Sequence, residues 1–166
     1  FFEGTLDLFN SSAVHGCGKV IQAWAKLQAS ENVIALVGLD DGGLAAGTDV
    51  WARGVDLFNS SAVHGGGKDI QPWATLQASG DANALVSLAD GGLAAGTSSM
   101  IDGIDVLLNR SAVHGGAKDI PPWATLQASG NVIALVGFDD GGLAASPDGR
   151  ASTLYLSSSR AVPRGA

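Results

Sequence analysis

Cysteine is almost missing from this 166-residue chain: Cys17 stands alone, so no intrachain disulfide can form and a disulfide-stapled scaffold is excluded. Aromatic residues make up only 6% and charged ones 15%. Basic side chains number 9 against 16 acidic, giving a formal charge of −7 without a basic cluster. That sign is wrong for tracking phosphates and argues against a nucleic-acid partner. Long apolar runs are lacking too. The most continuous one, Val33 to Leu39, is far short of a ~20-residue bilayer span, so no membrane insertion is expected despite a mean hydropathy of +0.23. The chain opens Phe1-Phe2-Glu3-Gly4 without methionine or a signal-like segment, pointing to processing or to a longer parent chain, and nothing in it assigns a compartment.

What the chain has in quantity is apolar and small residues: 46% are hydrophobic, and glycine, alanine and serine number 24, 26 and 16. That content excludes intrinsic disorder, and the length suits one domain with a real core. Internal repetition organises it. Leu8-Phe9-Asn10-Ser11-Ser12-Ala13-Val14-His15-Gly16 recurs as Leu57-Phe58-Asn59-Ser60-Ser61-Ala62-Val63-His64-Gly65, and more loosely as Leu108-Asn109-Arg110-Ser111-Ala112-Val113-His114-Gly115. Trp24, Trp73 and Trp123 keep the same spacing, as do Asp41, Asp90 and Asp140. The expected organisation is one domain over 1–160 made of three repeats, about 5–53, 54–103 and 104–156. The tail 161–166 contains Val162-Pro163-Arg164-Gly165, which resembles part of a protease-cleavable vector linker and falls outside the fold.

Each period reads as four short strands. Val33-Ile34-Ala35-Leu36-Val37 is a continuous apolar run, as in a strand buried on both faces. Asp40-Asp41-Gly42-Gly43 is hairpin-turn chemistry, and Leu44-Ala45-Ala46-Gly47 returns as a second strand. Val55-Asp56-Leu57-Phe58 makes a third, ended by Asn59-Ser60-Ser61, and Trp73-Ala74-Thr75-Leu76-Gln77 a fourth. Glycine and proline leave no window for a helix. The expected fold is all-β, built of four-stranded units that suit either propeller blades or a β-trefoil.

The order of elements resembles WD-repeat β-propeller blades. Val132 to Ala145, with Asp139-Asp140-Gly141-Gly142 at its turn, resembles the first half of such a blade. Glu3-Gly4-Thr5-Leu6-Asp7-Leu8-Phe9-Asn10 resembles the second half, with Phe-Asn where Trp-Asp is usual. Leu76-Gln77-Ala78-Ser79 stands where the family has Leu-x-Gly-His, and Thr153-Leu154-Tyr155-Leu156 restarts the third strand at the far end. Ser79, Ala46, Ala52 and Phe58 occupy the places of the family's His–Ser–Asp–Trp hydrogen-bond network, so the resemblance implies blades without a buried polar brace. A second resemblance, of Val63-His64-Gly65-Gly66-Gly67 to the His-Pro-x-Gly-Gly of three-repeat β-trefoil lectins, implies galactose binding, although no copy has the proline.

Propeller blades imply a non-catalytic scaffold that presents loops to a protein partner; the trefoil implies a multivalent lectin for galactose-type glycans. Three blades do not close a ring of the usual size, so a second copy or a longer parent chain is expected to complete it. The candidate binding residues are the loop groups His15, His64, Lys68, Asp69, His114, Lys118 and Asp119, with Trp51 and Arg53 between two strands. Bare glycine backbone beside the loop groups lets a partner approach closely; the competing reading is a solvated loop whose histidine hydrogen-bonds a turn carbonyl. Trp and Arg are the types that most often anchor interfaces. Trp24, Trp73 and Trp123 precede apolar strands and are expected to pack between blades. No Gly-x-Ser-x-Gly elbow or zinc-spaced cluster is present, and Asp40-Asp41 and Asp139-Asp140 precede Gly-Gly as in β-turns, so no enzyme, metal or cofactor is expected.

Overall fold

Short, glycine-bounded apolar segments bury themselves most readily as strands, and the computed structural model shows that arrangement. It describes residues 4–8, 23–49, 54–89, 91–98, 103–106, 120–122, 124–128, 130–140, 142–147 and 155–157. Strands β1 (Thr5–Leu8) and β2 (Ala25–Gln28) form a two-stranded sheet. A four-stranded sheet follows, of β3 (Val33–Gly38), β4 (Leu44–Thr48), β5 (Gly54–Phe58) and β6 (Ala74–Gln77). The next four-stranded sheet holds β7 (Asp81–Ser87), β8 (Leu93–Ser98), β9 (Gly103–Val106) and β10 (Ala124–Gln127). Three strands, β11 (Val132–Gly137), β12 (Leu143–Pro147) and β13 (Tyr155–Ser157), make the last. Every neighbouring pair is antiparallel and consecutive in sequence, so each sheet is a meander. The chain is all-β. Among the described residues no sheet closes on itself, and no helix is long and apolar enough to cross a membrane.

The expected turns form for the expected reason. Gly42 donates its N–H to the Leu39 carbonyl (2.9 Å) and sits at φ +83°, where only glycine is unstrained. Asp41 Oδ1 accepts from the Gly43 N–H at 2.9 Å, and Asp140 Oδ1 from the Gly142 N–H at 2.8 Å. These aspartates shape turns.

Two expectations need correction. The absence of helix fails at α1 (Ser60–His64), one short turn whose N-cap, Asn59, accepts from the Ala62 N–H at 2.9 Å. Asn59 does end β5, as expected, but the same side chain starts a helix. The run Val33–Val37 is not buried on both faces either: along β3, half-buried residues alternate with exposed ones, Ile34 and Leu36 among them. The reason lies next door. Among the described residues the sheet on that side has two strands, β1 and β2, whose Leu6 and Leu27 pack with Ala46 and Phe58 of β4 and β5.

The sheets stack face to face, β7 against β3 and β4, and β11 against β7 and β8. Between the two four-stranded sheets lie Ala45, Val55, Leu57 and Leu76 from one side and Leu93 and Ala95 from the other. Leu88, Ala94 and Ile104 meet Val132, Leu143 and Ala145 at the next joint. The Ala-Ala pairs of β4 and β8 therefore send one methyl to each neighbouring sheet. Their small size permits a close approach: a β-carbon on Gly47 of β4 would stand 2.5 Å from the Ala82 carbonyl oxygen of β7. The alanine-rich composition serves this stacking.

Candidate functional site

The histidine-glycine loop begins where β5 ends. Ala62 and Val63 of α1 are drawn onto the Leu6–Leu27–Phe58 cluster, which fixes the direction of the loop. His64, exposed at the end of α1, lies beside the β3–β4 turn; a β-carbon on Gly42 would stand 3.3 Å from its Nε2. The chain then crosses to the preceding sheet. Gly66, at φ +68°, rests on Trp24, and a β-carbon there would be 3.2 Å from the indole Nε1. The Gly67 carbonyl accepts from the Lys26 N–H (3.1 Å), and the Ile70 carbonyl from the Gln28 N–H (2.9 Å). Leu27 and Ile70 thereby form a parallel bridge, and the Ile70 side chain joins the cluster around Leu27.

This loop is a strap over the outer edge of β2. Its later counterpart does the same to β6: the Ile120 carbonyl accepts from the Gln77 N–H at 2.7 Å, and the Ile120 N–H reaches the Thr75 carbonyl at 3.3 Å. Backbone donors of an otherwise bare edge are satisfied by the following repeat, which is how natural sheets avoid edge-to-edge pairing. Lys68 and Asp69 lie on the exposed crest of the strap, and Asp69 adopts φ +56°, a left-handed conformation that aspartate tolerates better than most residues. Among the described residues no hydrogen bond or ion pair joins His64, Lys68 and Asp69. His64 stands against its own sheet, while Lys68 and Asp69 ride over the neighbouring one. His15, His114, Lys118 and Asp119 lie outside the described residues. Trp24 and Trp73 remain 40% and 37% exposed, so their packing is one-sided, and Trp123 is outside the described residues.

Strand directions divide the sequence-predicted residues between two ends. The β3–β4 turn and the strap share one end of the sheet; Thr48, where β4 ends, and Gly54, where β5 starts, lie at the other. Trp51 and Arg53, between those two strands in sequence, fall outside the described residues. The Asp49 N–H donates to the Asn32 carbonyl (3.1 Å), and Asn32 Nδ2 donates to Asp49 Oδ2 (3.3 Å). Asp49 Oδ1 is shielded from solvent with no partner among the described residues.

Near the same end sits a feature that the sequence reading missed. Asp56 is 1% exposed, and its carboxylate accepts from the Ser30 N–H at 2.7 Å and from the Ser30 hydroxyl at 2.8–2.9 Å. Ser30 lies in the β2–β3 connection, so this polar contact ties that connection to β5 and corrects the expectation of sheets held by apolar packing alone. Burial pushes the Asp56 carboxyl above its ordinary value of 3.8, while the Ser30 N–H and hydroxyl pull against that rise. Alternation along Val55–Phe58 gave a faint signal, since it places Asp56 among apolar neighbours. Nothing in the sequence paired it with Ser30. Among the described residues no group of three or more His, Cys, Asp or Glu side chains could hold a metal ion. No protein-family model and no curated protein matches this chain.

Proposed function

We propose that the chain is a run of β-propeller blades that acts as a non-catalytic scaffold, presenting loops to a protein partner. The observation that carries this reading is the stack: consecutive four-stranded antiparallel meanders joined face to face by short connections. A trefoil would weave strands of different repeats into one barrel, whereas each sheet here takes its strands in unbroken chain order. Within a propeller the straps are occupied in holding one blade to the next. That leaves the connections at the opposite end, such as 49–53 with Trp51 and Arg53, as the presenting surface. Rigid blades hold such loops in place, so little conformational entropy is lost when a partner docks.

The test compares Trp51→Ala/Arg53→Ala with His64→Ala/Asp69→Ala, each checked for an unchanged circular dichroism spectrum. A photo-crosslinker at position 50 should capture a discrete protein from the source tissue. Capture should be lost with the first double variant and kept with the second. Retention of the chain on immobilised galactose, abolished by the second double variant, would instead establish the lectin and sink the scaffold.

A further inference from the structure

The two outermost sheets leave complementary halves of one interface uncovered. Leu36, Leu85 and Leu135 hold the same place in the first strand of their sheets and point toward the preceding sheet. Leu85 and Leu135 pack into the joint there, but Leu36 is 52% exposed. Val37, Val86 and Val136 point the other way, and the first two are covered by the following sheet while Val136 is 54% exposed. Phe138 repeats the pattern: its counterparts Leu39 and Leu88 pack into joints, and it is 43% exposed. The Leu36 face is thus of the kind that, at both internal joints, packs onto a face like that of Val136 and Phe138.

The backbone adds an independent match. Among the described residues the first sheet contains β1 and β2 alone, which correspond in sequence to the third and fourth strands of the four-stranded sheets. The last sheet begins with first and second strands, β11 and β12, and β12 holds β13 through three residue pairs, where β4 holds β5 through four. Among the described residues one sheet shows its second two strands and the other its first two with a short third.

We propose that a second copy of this chain docks head to tail, so that β1 and β2 of one copy complete the sheet begun by β11 and β12 of the other. β1 then takes the place of β13, and Leu36 lies against Val136 and Phe138. Each copy supplies two whole sheets and two halves, so two copies make a ring of six, within the ~4–8 blades usual for a propeller. This rests on the propeller reading. The joint is heterologous, one copy's head on the other's tail, and two such joints close the pair.

Light scattering on the intact chain should give twice the 16.6 kDa mass of one copy. Leu36→Glu and Val136→Glu should each yield monomers. An equal mixture of the two should recover dimers, because one of its two joints has both sides unaltered. Removal of residues 151–166 should leave the dimer intact, since β13 is the strand displaced. A mixture that stays monomeric, or a ladder of sizes growing with concentration, would overturn the closed pair. A wild-type monomer that binds a hydrophobic dye strongly sinks the second copy as occupant but keeps the stacked sheets. A monomer that binds no dye and unfolds on either glutamate substitution sinks the propeller reading as well.

Discussion

Leu85 and Leu36 occupy equivalent strands in equivalent surroundings of sequence, yet one lies in the joint between two sheets and the other faces solvent. Val86 and Val136 make the same contrast at the opposite face. The residue types match within each pair, so burial here belongs to the stack and not to the repeat. A single sheet of this kind presents apolar side chains on both faces and covers neither alone. The joints bury the apolar side chains that the ends leave exposed.

The contrast breaks most visibly at the fully buried Leu76. Leu76→Ala removes a side chain from the central joint and should cost about 2–5 kcal/mol in urea unfolding, whatever the protein concentration. Leu36→Ala should matter only where copies meet, so its effect should fade as the sample is diluted. Equal losses at every concentration would erase the distinction between joint and end.

A smaller effect is expected from the polar contact at the other face of β5, where Ser30 enters from the β2–β3 connection. Asp56→Ala leaves the Ser30 donors without their acceptor and should cost about 2–3 kcal/mol, whereas Asp56→Asn keeps an acceptor and should cost less. The pH dependence distinguishes them further. The folded carboxyl is raised above 3.8, so between the unfolded and folded values the native state binds more protons than the unfolded chain. Stability contributed by this group is therefore greatest below 3.8 and declines as pH rises through the raised folded value. Urea midpoints across that range should fall for the wild type and flatten for Asp56→Asn; a rise with pH would mean that the Ser30 hydrogen bonds outweigh burial.

The strap should show the mildest change. Gly66→Ala places a β-carbon against Trp24 at positive φ, for about 1–2 kcal/mol. Hydrogen exchange at the Lys26 and Gln28 amides should quicken, since their acceptors are the Gly67 and Ile70 carbonyls. Unchanged exchange would mean that the strap holds without its glycine.

The strands and their turns were legible because their signals are local. Asp-Gly-Gly marks turns through its own side-chain and backbone bonds, and apolar runs between such turns become strands whatever their neighbours do. The site was less legible because its determinants are distant in sequence. Asp56 finds Ser30 across 26 residues, and Ile70 finds β2 across a gap longer still. His64, Lys68 and Asp69 drew attention as chemistry-bearing groups, while the residues that fix the loop are Gly66, Gly67 and Ile70. An isoleucine directly after the Lys68-Asp69 pair was the available clue. Asn59 was read as a strand terminator because its capping function shows only once Ala62 turns back toward it.

The strap also sets a schedule. Ribosomes extend a chain at about 5–20 residues per second, N-terminus first. The outer edge of β2 is complete at Gln28, but its cover at Ile70 is made 42 residues later, and 43 residues separate Gln77 from Ile120. The sheets of β2 and β6 thus emerge with one edge bare for a few seconds, within reach of the next nascent chain on the same message. Slowing translation just after Gln28 or Gln77 lengthens that exposure without altering one residue of the product.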